Sequence, residues 1–416
     1  LGDRHGSNGD ERIAAGDERI AAGDGRSASD TVPPPLVAIT GTKGKSTTSS
    51  AAAHIIGTHH PQTRLGGNIT ISPLDFVGEI GPDVPVVLEL SSFQLGDLAF
   101  CRRHNDRDTS HLPASLPRSV LHPVVPAAVA VITNIFEDHQ DYYASMERYV
   151  DDKREIYRHL PDGAICILSA RNGWTPSFIA DLARNHPSVR VITVDPGNDD
   201  SGHDNASGRY VLPDRLPLPG IHNRINLAIA VEAAFHVGVP PETVTAGVAS
   251  FPGVPHRMEA VRTIATVRFV NDTAATIPEA AEAAVVAYAT DQPGTVVHLI
   301  AGGSDKGLDP APLVRAIEAA VRTGGHVALL AGTATERIAE GCTDKGVTGW
   351  FIADSLQEAV TRLMEGTRDA GDTTGAGHVI LLSPGCASFG MFRNEFDRGR
   401  RFIEIVRELP EIAIPG

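Results

Sequence analysis

The sequence lacks what would tie it to a membrane, a disulfide framework or a nucleic acid. No apolar run reaches the ~18 residues that a spanning helix needs, and no basic-then-apolar signal region is read at the N-terminus. Cysteine is scarce: Cys101, Cys166, Cys342 and Cys386 are scattered without paired spacing. That argues against a disulfide scaffold or a cysteine zinc site and fits a reducing cytoplasm. Positive charge is in deficit, with 36 Lys and Arg against 51 Asp and Glu and a formal net charge of −15. Nucleic acid is therefore not an expected partner, and a phosphate ligand would have to meet locally placed Lys and Arg. The expectation is a soluble, cytoplasmic monomer without membrane insertion.

A chain of 416 residues has room for two or three domains with real cores. Its first part is a repeat: GDERIAA at Gly9–Ala15 recurs unchanged at Gly16–Ala22, and Gly23 and Asp24 open a third copy. Small and polar residues prevail up to Pro33–Pro35, so residues 1–35 read as a disordered, low-complexity leader. From Leu36 apolar strands alternate with helical periods, the pattern of an α/β parallel sheet. Strands are predicted at 36–40, 86–90, 128–133, 164–168 and 190–194, and helices at about 45–56, 145–160, 176–185 and 223–237. The charged, His- and Pro-rich stretch 102–126 reads as a surface insertion. A break near Phe251–Pro255 precedes a second α/β series, with strands near 257–262, 266–270, 296–301, 326–330, 348–352 and 378–382 and a last helix at about 393–408. The expected fold is α/β: a P-loop-type parallel-sheet domain over 36–253, then a Rossmann-like α/β domain over 254–416.

The stretch Leu36–Thr48 (LVAITGTKGKSTT) organises the rest. A buried strand runs into a loop bracketed by Gly41 and Gly44, then into a helix rich in Ala. Such a loop aims backbone N–H groups and a helix N-terminus at one point, which suits phosphate. Lys45 would neutralise the outer phosphates, and the Ser46 hydroxyl could join a Mg²⁺ shell. The P-loop pattern wants Gly where Ile39 stands, so a plain Gly-rich turn is the alternative.

Other candidates lie at strand ends, where ligands of parallel sheets sit. Glu89 could hold Mg²⁺ directly or through water, or be satisfied by a helix N-terminus. Glu137, Asp138, His139 and Asp141 form an acidic loop with His139 a possible nitrogen ligand. Within the predicted helix 145–160, the apolar stripe Met146, Tyr149, Val150, Ile156, Tyr157 and Leu160 is interrupted by Lys153. A lysine there can snorkel to water, which the pattern alone favours, or be converted by CO₂ into an anionic carbamate ligand. Asn223 and Asn226 could hold adenine or phosphates, or cap a helix. Arg257 is a candidate phosphate clamp. The loops after Val270, Ala301 and Leu382 are expected to meet at one cleft, with Lys306 available for a carboxylate substrate.

Together these segments resemble the ATP-dependent Mur ligases of peptidoglycan synthesis. Thr40–Ser46 (TGTKGKS), Glu89–Leu95 (ELSSFQL), Glu137–His139, Lys153, His222-Asn223, His256-Arg257 and Asn271-Asp272 occur in that family's order and approximate spacing. In that family Ile39 ceases to be a defect, because the shorter loop is the one used. Gly66–Ile69, Glu89–Leu95 and Leu382–Ser388 most resemble the glutamate-adding branch. The resemblance implies that ATP phosphorylates the terminal carboxylate of UDP-N-acetylmuramoyl-L-alanine and that the glutamate amine attacks the acyl phosphate. It implies Gly41, Thr42, Lys43, Gly44, Lys45, Ser46 and Thr47 around the phosphates, with Asn223, Arg257 and Asp272 also binding ATP. Ser46, Glu89 and His139 would hold metal, with Lys153 as a carbamate in support. Asn68, Ser91 and Gln94 would face the muramoyl peptide, and Thr276, Lys306 and Ser388 the glutamate.

Three departures are visible. The resemblance implies a uridine-diphosphate-binding domain ahead of the phosphate loop, where residues 1–35 carry the repeat; the expectations are a truncated start or loss of uridine binding. Ala274 stands where the family has Lys, and Glu395 where it has an aromatic, with Phe396 one place on. Both changes fall in the implied glutamate pocket and hint at the branch that adds L-glutamate alongside an epimerase. The rival readings are a folylpolyglutamate-synthase-like or cyanophycin-like ligase, and a nucleotide-binding relic.

Overall fold

Leu36–Thr40 forms β1, the middle of a six-stranded parallel sheet ordered β2-β3-β1-β4-β5-β6. Its neighbours are β3 (Val86–Glu89) and β4 (Val129–Ile132), in the registers Ile39↔Glu89 and Thr40↔Ile132. The remaining strands are β2 (Arg64–Gly67), β5 (Ile165–Ser169) and β6 (Arg190–Val194). A central parallel strand is covered on both faces, which is why β1 and β4 are uninterrupted apolar runs. The computed structural model describes residues 35–69, 71–105, 126–139, 142–195, 212–213, 216, 218–369 and 377–411. The repeat, most of the stretch 102–126, Gln140 and Asp141 lie outside the described residues.

Helix α1 (Lys45–His59) leaves the β1 loop, α2 (Ser92–Asn105) follows β3, and α3 (Met146–Arg154) and α4 (Thr175–Asn185) flank β5. Helix α5 (Ile221–His236) is buried on every side from Leu227 to Ala234, packed on α1, β4, β5 and β6. A helix buried all round belongs inside a core, and the buried Glu232 of α5 is paired with His236. Helix α6 (Pro241–Ser250) lies against α1.

A second six-stranded sheet is ordered β11-β10-β9-β12-β8-β7. It contains β7 (Glu259–Ile264), antiparallel to β8 (Val267–Asn271), and four further parallel strands: β9 (Val296–Gly302), β10 (Val327–Leu330), β11 (Trp350–Ala353) and β12 (His378–Leu382). Helices α7 (Pro278–Asp291), α8 (Ala311–Arg322), α9 (Thr335–Asp344), α10 (Leu356–Asp369) and α11 (Glu395–Glu408) cover it. Because β8, β12 and β9 are adjacent, the three loops leaving their carboxyl ends are neighbours.

The sequence expectations need four corrections. Strand β2 is absent from them: only Leu65 is apolar among its four residues, and its extended state comes from pairing with β3. Helix α2 is absent too, although Ser91 and Gln94 form its capping box: Ser91 N donates to Gln94 Oε1 at 2.9 Å, and Gln94 N to Ser91 Oγ at 3.2 Å. Arg102 belongs to this helix, not to an insertion, and pairs with the buried Glu155. The predicted helix 145–160 ends at Arg154; residues 155–159 are turns, so its apolar stripe records burial beyond the helix.

Candidate active site

The loop between β1 and α1 is shaped by two glycines. A Cβ on Gly41 (φ 150°) would lie 1.9 Å from Thr133 Oγ1, and one on Gly44 (φ 82°) would lie 2.4 Å from Asn226 Oδ1. Side chains that follow β4 and begin α5 therefore press directly on the loop backbone. Asn134 ties down its middle: Thr42 N donates to Asn134 O, and Lys43 N to Asn134 Oδ1, both at 2.8 Å. Thr133 Oγ1 donates to Lys43 O at 2.8 Å. The Thr42 and Lys43 amides are thus engaged by Asn134, and the anion-facing donors are those of the first turn of α1, which lack intrahelical partners. That turn holds Lys45, Ser46 and Thr47, with Gly44 as N-cap.

Lys153 does not snorkel. It is 1% exposed, and its Nζ donates to Gly41 O at 2.8 Å while lying 4.6 Å from the Tyr149 ring centre. Tyr149, one turn earlier on α3, shares a 2.9 Å hydrogen bond between its hydroxyl and Thr42 Oγ1. Burial, followed by the charge of Lys45, lowers the Lys153 ammonium from 10.5 to about 7. Lys45 is lowered too, chiefly by burial, against the opposing attraction of Glu89; its Nζ donates to Thr42 O at 3.0 Å.

Glu89 is also 1% exposed. Among the described residues it receives two long hydrogen bonds, from Ser49 Oγ at 3.5 Å and Asn68 Nδ2 at 3.4 Å. A buried carboxylate so weakly satisfied, on the strand next to β1, and the helix-start hydroxyl of Ser46 are hard oxygen donors of the kind that Mg²⁺ takes. His139 adopts φ 56° with its exposed ring 4.9 Å from that of Phe93 and its Nε2 3.8 Å from Asp138. Among the described residues no three His, Cys, Asp or Glu side chains converge as a metal cluster. The acidic loop as a whole is thus not such a cage, with Glu137 exposed and Asp141 outside the described residues.

Asn223 and Asn226 do not cap α5. Gly220 occupies the N-cap; buried Asn223 donates through Nδ2 to Pro219 O at 2.7 Å, and Asn226 abuts Gly44. Across from the loop, Arg257 sits in the turn before β7, close enough for its charge to act on Lys45. Asp272 at the end of β8 accepts from Ser383 Oγ at 2.7 Å and Met258 N at 3.1 Å. Burial nevertheless raises its carboxyl to about 6, against these bonds and Arg257.

The three loops of the second sheet do meet. Gly385 N donates to Ala275 O at 2.9 Å, and Ser304 N to Ala387 O at 2.9 Å. Thr276 and Lys306 line one small cleft with Ser304, Asp305 and Cys386. Ser388 is buried and lies outside that lining. Ala274 N donates to His256 O at 3.0 Å, and the Phe396 ring packs 5.6 Å from that of His256. Sequence reasoning missed Asn134, Tyr149 and Arg398. Arg398 is fully buried and donates to Thr273 Oγ1 at 2.9 Å and to Cys386 O at 3.2 Å, joining two of the loops. Asn134 had a readable signal, a polar residue straight after a buried strand. The other two depend on contacts distant in sequence.

A phosphate loop at the centre of one parallel sheet, with Arg257 from the turn before a second α/β sheet acting on its lysine, defines a nucleotide-dependent enzyme with a divided site. The chain belongs to the Mur ligase family. The profile of the Mur ligase middle domain matches residues 114–234, and that of the Mur ligase glutamate ligase domain residues 256–385. The chain is 37% identical over 391 residues to the UDP-N-acetylmuramoylalanine--D-glutamate ligase of Roseiflexus sp. (strain RS-1), covering 90% of this chain and 76% of the relative. It is 34% identical over 386 residues to the ligase of the same name from Symbiobacterium thermophilum, with the same coverage. In fold it is similar to the UDP-N-acetylmuramoylalanyl-D-glutamyl-2,6-diaminopimelate--D-alanyl-D-alanyl ligase of Acinetobacter baumannii. That similarity has a TM-score of 0.63 at 18% identity, covering 92% of this chain and 77% of that one.

Proposed function

We propose that this protein is an ATP-dependent ligase that joins glutamate to UDP-N-acetylmuramoyl-L-alanine, in the cytoplasm and as a monomer. Residues 36–253 bind ATP and the muramoyl substrate, and residues 254–416 bind the amino acid. The observation that carries this reading is that Glu89 and Lys153 are both buried beside the phosphate loop, Glu89 in register with Ile39 and Lys153 on Gly41 O, in a chain whose relatives named above are glutamate ligases.

The first turn of α1 holds the β- and γ-phosphates, and Lys45 turns from Thr42 O to the phosphate oxygens. Arg257 approaches from the other side, and Asp272 and Asn223 complete the nucleotide site. Ser46, Glu89 and His139 would hold Mg²⁺, which supplies charge neutralisation at the phosphoryl oxygens when bound. Lys153, its amine lowered towards neutrality by burial, is able to add CO₂ and become an anionic carbamate; as a carbamate it supports the metal ligands. Asn68, Ser91 and Gln94 orient the muramoyl peptide, the latter two also stiffening the start of α2. A carboxylate oxygen of that peptide attacks the γ-phosphorus and ADP leaves. Glutamate is held through its carboxylates by Thr276, Lys306 and Ser388, and its amine then attacks the acyl carbon; the C–O bond to phosphate breaks, the amine loses a proton, and an amide remains. Preorganised donors around the transferring group are the main source of acceleration.

The test is ATP-dependent phosphate release measured with each substrate omitted in turn, and with D- and L-glutamate supplied separately. Release that requires both the muramoyl substrate and one glutamate isomer is expected. The relatives carry D-glutamate in their names, whereas Ala274 and Glu395 hint at the L-isomer; the separate assays decide between them. No stimulation by either isomer would sink the proposal.

A further inference from the structure

The cleft beside Thr276 carries two cations, Lys306 and Arg337. Lys306 belongs to a strand-end loop that the sequence motifs already mark. Arg337 comes from α9, an element that no motif touches. Its guanidinium is held at the cleft: Nη1 donates to Asp305 Oδ2 at 2.6 Å, and Nη2 to Leu308 O at 3.4 Å. Asp305 is itself fixed, its amide donating to Thr333 Oγ1 and its Oδ1 accepting from Gly307 N, each at 2.8 Å. The structure therefore holds this arginine at the cleft lining through one donor to the Asp305 carboxylate and one to a backbone oxygen.

Glutamate brings two carboxylates into that space, and its amine must be uncharged to attack. Two carboxylates beside Asp305 call for two cations, and Lys306 supplies one point charge. Arginine is suited to the other, because its planar donors match carboxylate geometry. Without Arg337 the cleft would set a single cation against three carboxylates. We propose that Arg337 is the specificity-determining residue of the acceptor site, binding one carboxylate of the incoming amino acid and favouring a dicarboxylic acceptor over its neutral amide. This rests on the glutamate-ligase reading above.

Arg337 is roughly half exposed on a helix surface, so its replacement leaves the fold intact, which an unchanged thermal midpoint checks. Steady-state kinetics of the full chain, Arg337→Gln and Arg337→Lys are compared at saturating ATP and muramoyl substrate, with glutamate or glutamine as acceptor. Arg337→Gln is expected to raise the glutamate KM by about ten- to a hundredfold, the range for losing a charge-assisted hydrogen bond. The ATP KM should stay unchanged, the preference for glutamate over glutamine should fall by the same factor, and Arg337→Lys should recover part of it. An unmoved glutamate KM in Arg337→Gln, with the wild type active, overturns the assignment of Arg337 alone. So does an equal rise in the glutamate and ATP KM values. A wild type that shows no glutamate-dependent turnover overturns the ligase reading and this assignment with it.

Discussion

Lys153 is the residue where chemistry and stability are tied most closely. Its ammonium is lowered to about 7 from the ordinary 10.5, first by burial and then by Lys45. Between those two values the unfolded chain carries a proton that the folded chain does not. Stability therefore rises with pH across that window, and the gain is lost as pH falls towards 7. Replacing Lys153 with Met removes the titrating group. Denaturant midpoints in CO₂-free buffer should show the wild type gaining on Lys153→Met as pH rises from about 7 to about 10. A flat difference would mean that the lysine stays charged in the fold. The same variant should lose activity by about a hundredfold or more if Lys153 supports the transferring phosphoryl group. Asp272 poses the opposite case: burial raises its carboxyl to about 6, so the ionised form found at neutral pH disappears as pH falls through that value. The ATP KM should then rise below about pH 6, with the muramoyl-substrate KM less affected.

At the scale of elements, α3 works as a clamp on the phosphate loop, with Tyr149 and Lys153 one turn apart on the same face. Tyr149→Phe removes the hydroxyl that reaches Thr42 and leaves the ring in place. A three- to tenfold rise in the ATP KM is expected, about the worth of one net hydrogen bond, with little change in Tm. Helix α1 offers a sharper contrast between two glycines. Gly44→Ala places a Cβ at φ 82° against Asn226, so both stability and ATP binding should fall. At Gly57, in the same helix, a Cβ would meet no atom within 4 Å, and Gly57→Ala should stabilise by about 0.5–1 kcal/mol. Thermal melts of the two variants check both signs. These elements also show what a sequence discloses. Buried parallel strands such as β1 and β4 are legible because they are unbroken apolar runs. Strand β2 is not, because an Arg-Leu-Gly-Gly stretch becomes a strand only when β3 lies beside it. The stripe through Leu160 is legible as burial but not as helix length. Lys153 is legible as an anomaly; its bond to Gly41 O spans 112 positions and has no local signature. The Ser91–Gln94 capping box is readable from spacing alone, yet the same two polar residues read equally well as ligand contacts.

For the whole molecule, the question is what joins a loop in the first sheet to a turn before the second. Apolar packing is continuous: Val37 and Ile39 of β1 share one buried cluster with Val297 and Leu299 of β9. At the start of α5, a Cβ on Gly220 would come within 3.1 Å of the Ala287 Cβ on α7. The polar side is less balanced. Arg257 and Lys45 bring like charges near each other, and Arg257 adds to the forces that lower the Lys45 ammonium, after burial and Lys43. A triphosphate between them converts that repulsion into two attractions. Removing Arg257 should therefore cost far more with nucleotide than without. In the absence of nucleotide, Arg257→Ala relieves a repulsion with Lys45 but loses an attraction to buried Asp272, so its melting temperature should stay close to the wild-type value. With Mg²⁺ and a non-hydrolysable ATP analogue, the wild type should be stabilised by about 2.7 kcal/mol at a hundred times its Kd. The variant at the same concentration should show a much smaller shift. An Arg257→Ala protein that keeps the full nucleotide shift would place ATP entirely on the first sheet, and the second sheet would then serve the amino acid alone.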